Sequence, residues 1–449
     1  MALTISRILH AGYVFECEGT RIAFDTVFEN PFSRNCHAFP DVRFDEALIR
    51  QQRFDAVFIS HLHDDHCSLE SLDMLARDTP IYMYCLFDEL FEMIRALGFG
   101  NVQRLHTNMP VVVGPVEVIP REALDADVDS MFQVRAKGLN VLNIVDSWID
   151  PDALGILAAY APWDMVLWPF QAMREIAVLA PSHAEPAPEH LPDDWFEQLA
   201  VLRPRYVVPS SCQFLQEPWS WYNHAFFPIT YRQFRQEVEA ALPGIEVVRL
   251  NPSVSVTLDA QGLRPAAPLS WVLPQGEQDV DYDFDAQTTP PPTADIARRF
   301  PPLTAQQEEE VLAFCHSGLL ARYRDMELQD DSYFAQARTW RLRLYSHTGA
   351  PLPFLYRIEG DTIEPAAGDA PLGWTTDVPM AKVYAALALG ESLTSMYLRI
   401  NDTVFDAQTE AQLRDADVVD DPLVRCLFND AIGAYQAAQL RRLQGLKVA

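Results

Sequence analysis

Three histidines and two aspartates fall within six positions of this chain, His61-Leu-His63-Asp-Asp65-His66. A divalent cation needs lone pairs converging from several directions, and neutral imidazole and carboxylate supply them at neutral pH. His61 and His63, two apart on an extended segment, point the same way and suit one ion. Asp65 and His66 come next on the turn and reach a second ion beside it. The four residues before the cluster, Ala56 to Ile59, are apolar or β-branched. They read as a buried strand that stops abruptly in a ligand-bearing loop. A solvated polar turn is the bland alternative, and it gives no reason for three imidazoles in six positions.

Further elements must hold such a loop. Residues 3–28 read as two strands, Ile5 to Cys17 and Arg21 to Val27, joined at Glu18-Gly19-Thr20. Leu86 to Leu97 is an amphipathic helix closed by Gly98. Met131 to Arg135 and Val141 to Val145 are strands, the second ending at Asp146. An acidic loop with Glu122, Asp125, Asp127 and Asp129 precedes them. Met165 to Phe170 is a buried strand, and Arg203 to Cys212 is the last core strand. The aromatic segment after them, with Trp221 and His224, is expected to wall a pocket together with Phe170, or to pack as core. Residues 1–263 form one domain on this reading, 264–303 a Pro-rich acidic linker, and 304–449 a C-terminal α+β domain.

Composition bounds the partners. The 449 residues carry 34 basic and 63 acidic side chains, a formal charge of -29, which argues against nucleic acid and anionic membrane surfaces. The seven cysteines are scattered and never in C-x-x-C spacing, so neither a disulfide framework nor a zinc knuckle is expected. No signal-peptide pattern opens the chain, and no apolar run approaches the roughly 18 residues of a membrane span. A cytoplasmic location is expected.

The 61–66 cluster resembles the H-x-H-x-D-H signature of the metallo-β-lactamase superfamily, with supporting fragments over about residues 1–260. The resemblance implies an α/β fold, an αββα sandwich with one or two metals at the edge of two facing sheets. It implies that Asp146 bridges the metals, rather than serving simply as an N-cap. The hairpin with His10 and Asp25 resembles the superfamily's opening; His10 could approach the metal edge there, but a lone His reads first as a structural hydrogen-bonding residue. Two departures stand out. Hydrolytic members place a third His after the middle strands, where this chain has only acids, and a fourth after the last core strand, where it has Ser211. Cys212 and His224 are the nearest substitutes. The 59–66 and 142–146 segments, and Pro204 to Pro209, resemble the β-lactamase-like part of the CMP-N-acetylneuraminate hydroxylase family, without its Rieske motif. In that likeness Asp125 falls near a family His. Glu122 matches the glutamate that replaces the third His in carboxylate-rich di-iron oxygenases of this fold.

The expected metal ligands are therefore His61, His63, Asp65, His66, Glu122, Asp125 and Asp146, with Phe170, Trp221 and His224 toward substrate. The expected cofactors are two divalent ions, iron ahead of zinc or manganese, with O2 as co-substrate. The expected activity is oxidation or hydroxylation of a small amine- or amino-acid-like molecule, with a reductant protein as a candidate partner. The first alternative is a zinc hydrolase of a lactone, ester or phosphodiester with Asp65 as base. The second is a degenerate binding protein of the same fold.

Overall fold

The computed structural model describes residues 2–170, 173–326, 332–368, 370–414, 416–429 and 433–445. Contacts divide these residues into two compact units. The first comprises Met1–Met173, Pro188–Phe284 and Gln439–Leu446, and the second contains Arg174–Ala187 and Asp285–Ala438.

Two large sheets make the first unit. From edge to edge, one runs Gly262–Ala266, Ser255–Asp259, Ala2–Arg7, Tyr13–Cys17, Thr20–Phe24, Ala56–Ile59, Ile81–Met83 and Val102–Arg104. The other runs Glu246–Val247, Tyr206–Ser210, Met165–Pro169, Leu139–Asn143, Ser130–Ala136, Val116–Glu122 and Val111–Val113. Their strands are antiparallel where hairpins connect them, and parallel from Thr20–Phe24 to Val102–Arg104 and from Leu139–Asn143 to Glu246–Val247. Parallel neighbours need crossovers, and helices such as Leu69–Asp73, Asp88–Ala96 and Pro151–Ala158 supply them. Alternate strand residues from both sheets share one core, among them Phe15, Phe24, Phe58, Phe132, Val141, Leu167 and Val208. Phe132 of the second sheet lies 5.1 Å from Phe24 and 6.1 Å from Phe58 of the first, ring centre to ring centre. Two sheets packed through one core, with helices on the crossovers, are the αββα sandwich of metallo-β-lactamase type.

The opening hairpin departs from the expectation of an unbroken strand from Ile5 to Cys17. The chain stops at Arg7, turns, and resumes at Tyr13. Ile8 N–H donates to Gly12 O at 2.8 Å, Gly12 N–H donates to Leu9 O at 2.7 Å, and His10 takes a positive φ of 51°. Gly12 is required by close approach, because a Cβ there would stand 2.7 Å from the Asp25 carbonyl oxygen. Leu9, Ala11, Tyr13, Phe15 and Cys17 keep an every-second-residue apolar spacing across the turn, which hides it from a periodicity reading.

The second unit is built on a five-stranded sheet ordered Thr362–Pro365, Pro351–Glu359, Arg338–Tyr345, Trp374–Pro379 and Arg399–Ile400. Trp340, Trp374, Tyr356 and Tyr323 fill its core. The segment 264–303, expected as a linker, is structured. It carries part of an edge strand, the Val272–Pro274 strand paired with Val42–Phe44, and the helix Thr293–Ala297. Its prolines are tolerated because Pro265 lies on the sheet edge and Pro292 directly precedes the helix. Among the described residues, no helix is long and apolar enough to cross a membrane.

Candidate metal centre

The Ala56–Ile59 strand ends at the sheet edge, and the chain tightens at once into a turn. His66 and Cys67 N–H both donate to His63 O, at 3.1 and 2.9 Å. Two groups of side chains gather around this turn, each with ligand atoms within 4.8 Å of one another. One is His10, Asp65, His66 and Asp146; the other is His61, His63 and Asp129.

Asp146 faces both groups. Its Oδ2 lies 2.9 Å from His66 Nε2 and 3.8 Å from His10 Nε2, while its Oδ1 lies 3.7 Å from His61 Nε2. Asp65 stands 3.1 Å from His10 Nε2 and 3.6 Å from His66 Nε2. In the second group His61 Nε2 is 2.8 Å from His63 Nδ1 and 3.7 Å from Asp129 Oδ1.

A single carboxylate sets the imidazole tautomers. Asp25, buried where the Thr20–Phe24 strand ends, accepts from the Ser60 N–H at 2.8 Å and the Ser60 hydroxyl at 2.9 Å. With its one proton committed there, Ser60 Oγ accepts from His61 Nδ1–H at 2.8 Å. His66 Nδ1 donates directly to Asp25 Oδ2 at 3.0 Å. Both imidazoles thus turn Nε2 toward the centre, the orientation a metal ligand needs. The Ser130 hydroxyl donates to Ser60 O at 2.9 Å, which fastens the strand after the acidic loop to the metal loop.

The electrostatics of the centre reflect crowding in a buried place. Burial, reinforced by His66, lowers the His61 pKa to about 4, so its lone pair is free at neutral pH. Burial and then the charge of Asp146 push Asp129 up to about 6. For His66 burial opposes the charged form, yet Asp146 and Asp65 outweigh it and raise the pKa well above the ordinary value. Burial likewise opposes the charge of Asp146, and His66 and His61 hold it well below the carboxylate range.

The residues present fit metal ions. Asp146 Oδ1, Asp129 Oδ1 and His10 Nδ1 are buried without a hydrogen-bond partner. The two carboxylate oxygens both lie 3.7 Å from His61 Nε2, too far for a hydrogen bond. Buried acceptors that converge on one imidazole lone pair are costly unless a cation sits among them.

Of the seven ligands expected from the sequence, the structure gathers His61, His63, Asp65, His66 and Asp146. Glu122 and Asp125 belong to neither group; both are exposed. The loop folds into a turn in which Asp129 N–H donates to Asp125 O at 2.8 Å, and Asp129, beside the start of the next strand, reaches inward instead. His10, read as structural, joins the His66 group because the hairpin break carries it to the sheet edge. The side chains expected toward substrate have these partners. Phe170 stacks on Tyr231 at 4.6 Å, and Trp221 packs against Tyr222 at 4.9 Å. His224, which is exposed, meets Asp283 O at 2.9 Å. Cys212, the other substitute considered for the fourth His, is in neither group. Positive φ at His10 is a backbone signal that no sequence periodicity carries. Asp129 differs from its neighbouring acids only in sitting one residue before a strand.

The grouping sets a sharp expectation for His10. His10→Ala lowers the metal content by about one ion per chain and spares the His61 group, because only the His66 group loses a donor. Metal analysis after dialysis checks this, and an unchanged content contradicts it.

Fold and donor set together define a metallo-β-lactamase-type sandwich with a candidate two-metal site. No protein-family profile matches the chain, and no curated protein does. Among solved structures it is similar to Igni18, a metallo hydrolase from Ignicoccus hospitalis, at 16% identity and a TM-score of 0.39, over 58% of this chain and 99% of that one. It is similar to CmlA, a diiron β-hydroxylase from Streptomyces venezuelae, at 17% identity and a TM-score of 0.38, over 57% of this chain and 53% of that one. It is also similar to an isothiocyanate hydrolase from Delia radicum gut bacteria, at 15% identity and a TM-score of 0.39, over 59% and 100%. Likeness of this size assigns no activity.

Proposed function

We propose that the chain is a metal-dependent enzyme whose two groups hold a pair of ions, iron by preference. It would use O2 to oxidise or hydroxylate a small amine- or amino-acid-like substrate. The observation that carries this reading is Asp129, which brings a carboxylate to His61 and His63. With Asp65 and Asp146, the two groups hold three carboxylates beside four imidazoles. A carboxylate in place of an imidazole hardens the set toward iron and manganese, and a carboxylate shared between two ions suits a redox pair. A ferrous pair, when bound, supplies the electrons that begin the reduction of O2.

The protein's own residues do the rest. Asp146 offers one oxygen to each group, and Asp25 with Ser60 keeps both Nε2 atoms facing inward. Phe32 and Phe214, centred 5.5 and 6.5 Å from the His10 ring, exclude water on that side. His63 is exposed and Asp65 and Asp129 partly so, which leaves that side open to a substrate. Hydroxylation takes four electrons to bring O2 to one inserted oxygen and one water. The substrate gives two, so the other two come from a reductant protein.

The hydrolytic reading is favoured by one observation. His10 restores a fourth imidazole, and imidazole-rich sites suit zinc, whose bound water would attack a lactone, ester or phosphodiester. Metal analysis with Mössbauer spectroscopy separates the two. Two irons per chain and oxygen uptake with an amine or amino-acid substrate support the first reading. Stoichiometric zinc with ester, lactone or phosphodiester cleavage overturns it.

A further inference from the structure

The side chain that closes the metal loop's far end comes from about 370 residues away. Helix Leu69–Asp73 begins three residues after His66, and its first turn is held by Gln439. Gln439 Oε1 accepts the Leu69 N–H at 2.6 Å, and Gln439 Nε2 donates to Ser68 Oγ at 2.9 Å. Gln439 is fully buried, as is Ser71, and Ser68 is 1% exposed. The Ser68 hydroxyl donates to Glu29, and Ser71 Oγ donates to the same Glu29 oxygen at 2.9 Å. Ser68 Oγ also accepts the Ser71 N–H at 3.2 Å, and Ser71 Oγ accepts the Phe28 N–H at 2.8 Å. One turn further along, on the same helical face, Arg442 Nε donates to Glu70 at 2.8 Å. Gln439 and Arg442 belong to the same compact unit as the metal loop.

This network ties together the two stretches between which His66 is held. Phe28 and Glu29 come just after Asp25, the acceptor for His66 Nδ1, and Ser68 and Leu69 come just after His66 itself. An unpaired N–H at a buried helix start is costly, and a buried polar network is rigid only when each member is satisfied. Removing Gln439 leaves the Leu69 N–H without its acceptor and takes from Ser68 Oγ one of its two donors, leaving only the Ser71 N–H. The helix start must then shift or admit water, and His66 moves with it.

We propose that Gln439, with Arg442 in support, is a positioning residue for the metal centre, setting where the 61–66 loop leaves the site. This rests on the reading of that loop as a metal site. In the full-length chain, Gln439→Ala should weaken cobalt(II) binding by about tenfold or more, the scale expected when a partner behind a metal ligand is lost. It should also shift the visible d–d bands of the bound cobalt, which a merely local loss of stability would leave in place. Arg442→Ala, on a partly exposed pair, should fold normally and show a smaller change in the same direction. Unchanged affinity and bands in folded Gln439→Ala protein overturn the proposal. If that variant does not fold, unchanged affinity and bands in Arg442→Ala do so. A wild-type chain that takes up no cobalt defeats the metal reading instead, which is a different result.

Discussion

Asp146→Ala yields a folded protein that has lost both ions together. Each neighbouring group uses a different oxygen of this carboxylate, 2.9 Å from His66 Nε2 and 3.7 Å from His61 Nε2. The first group then keeps His10, Asp65 and His66 but loses its link to the second, which is left with His61, His63 and Asp129. Metal content measured after gel filtration should fall from two ions toward none, and turnover by on the order of a thousandfold or more. The contrast with His10→Ala, which costs one ion, is diagnostic of a shared ligand. Retention of one full equivalent by the Asp146 variant would show that the groups are independent.

Asp25→Ala is expected to damage stability before it damages chemistry. This carboxylate, 1% exposed, accepts from the Ser60 N–H, the Ser60 hydroxyl and His66 Nδ1. Without it a buried imidazolium loses a partner, the Ser60 N–H is stranded, and the Ser60 hydroxyl is free to turn and donate to His61 Nδ1. Breaking a buried pair in this way costs about 3–5 kcal/mol, and the thermal midpoint of the metal-binding unit should drop by about 10 °C. Metal affinity should fall as well, since the alternative tautomers point a proton at the ion. Asp25→Asn, which keeps the shape, should recover part of the stability and less of the affinity. Calorimetry on metal-free protein tests the first point; equal midpoints for wild type and Asp25→Ala would refute it.

The part of the site legible in the sequence is the part made by neighbours in the chain. Three imidazoles and a reaching aspartate at one strand end are a local pattern, and Asp146 could be found because it closes an apolar run. What stayed hidden depends on backbone shape or on distance along the chain. His10 sits in a hairpin whose apolar alternation continues across the break. The loop acids look alike on paper, and only a turn over 125–129 decides that Asp129, not Glu122 or Asp125, reaches the centre. Gln439 has no local signature at all. Proline content led to a linker reading of 264–303, where Pro265 sits on an edge strand and Pro292 directly before a helix, positions that accept proline.

The strand order carries a consequence for biosynthesis. Among the described residues every candidate ligand lies at or before position 146, so a ribosome makes the whole donor set before it makes the Tyr206–Ser210 and Ser255–Asp259 strands. Yet Ala2–Arg7, which carries the chain into His10, is flanked on one side by Ser255–Asp259, and Arg7 is anchored on the Pro209 and Leu250 carbonyls. A nascent chain therefore exposes loose imidazoles and carboxylates long before it can hold them in place. On the proposed reading, ion capture would therefore wait for the late strands, and the cation available at that moment would be the one enclosed.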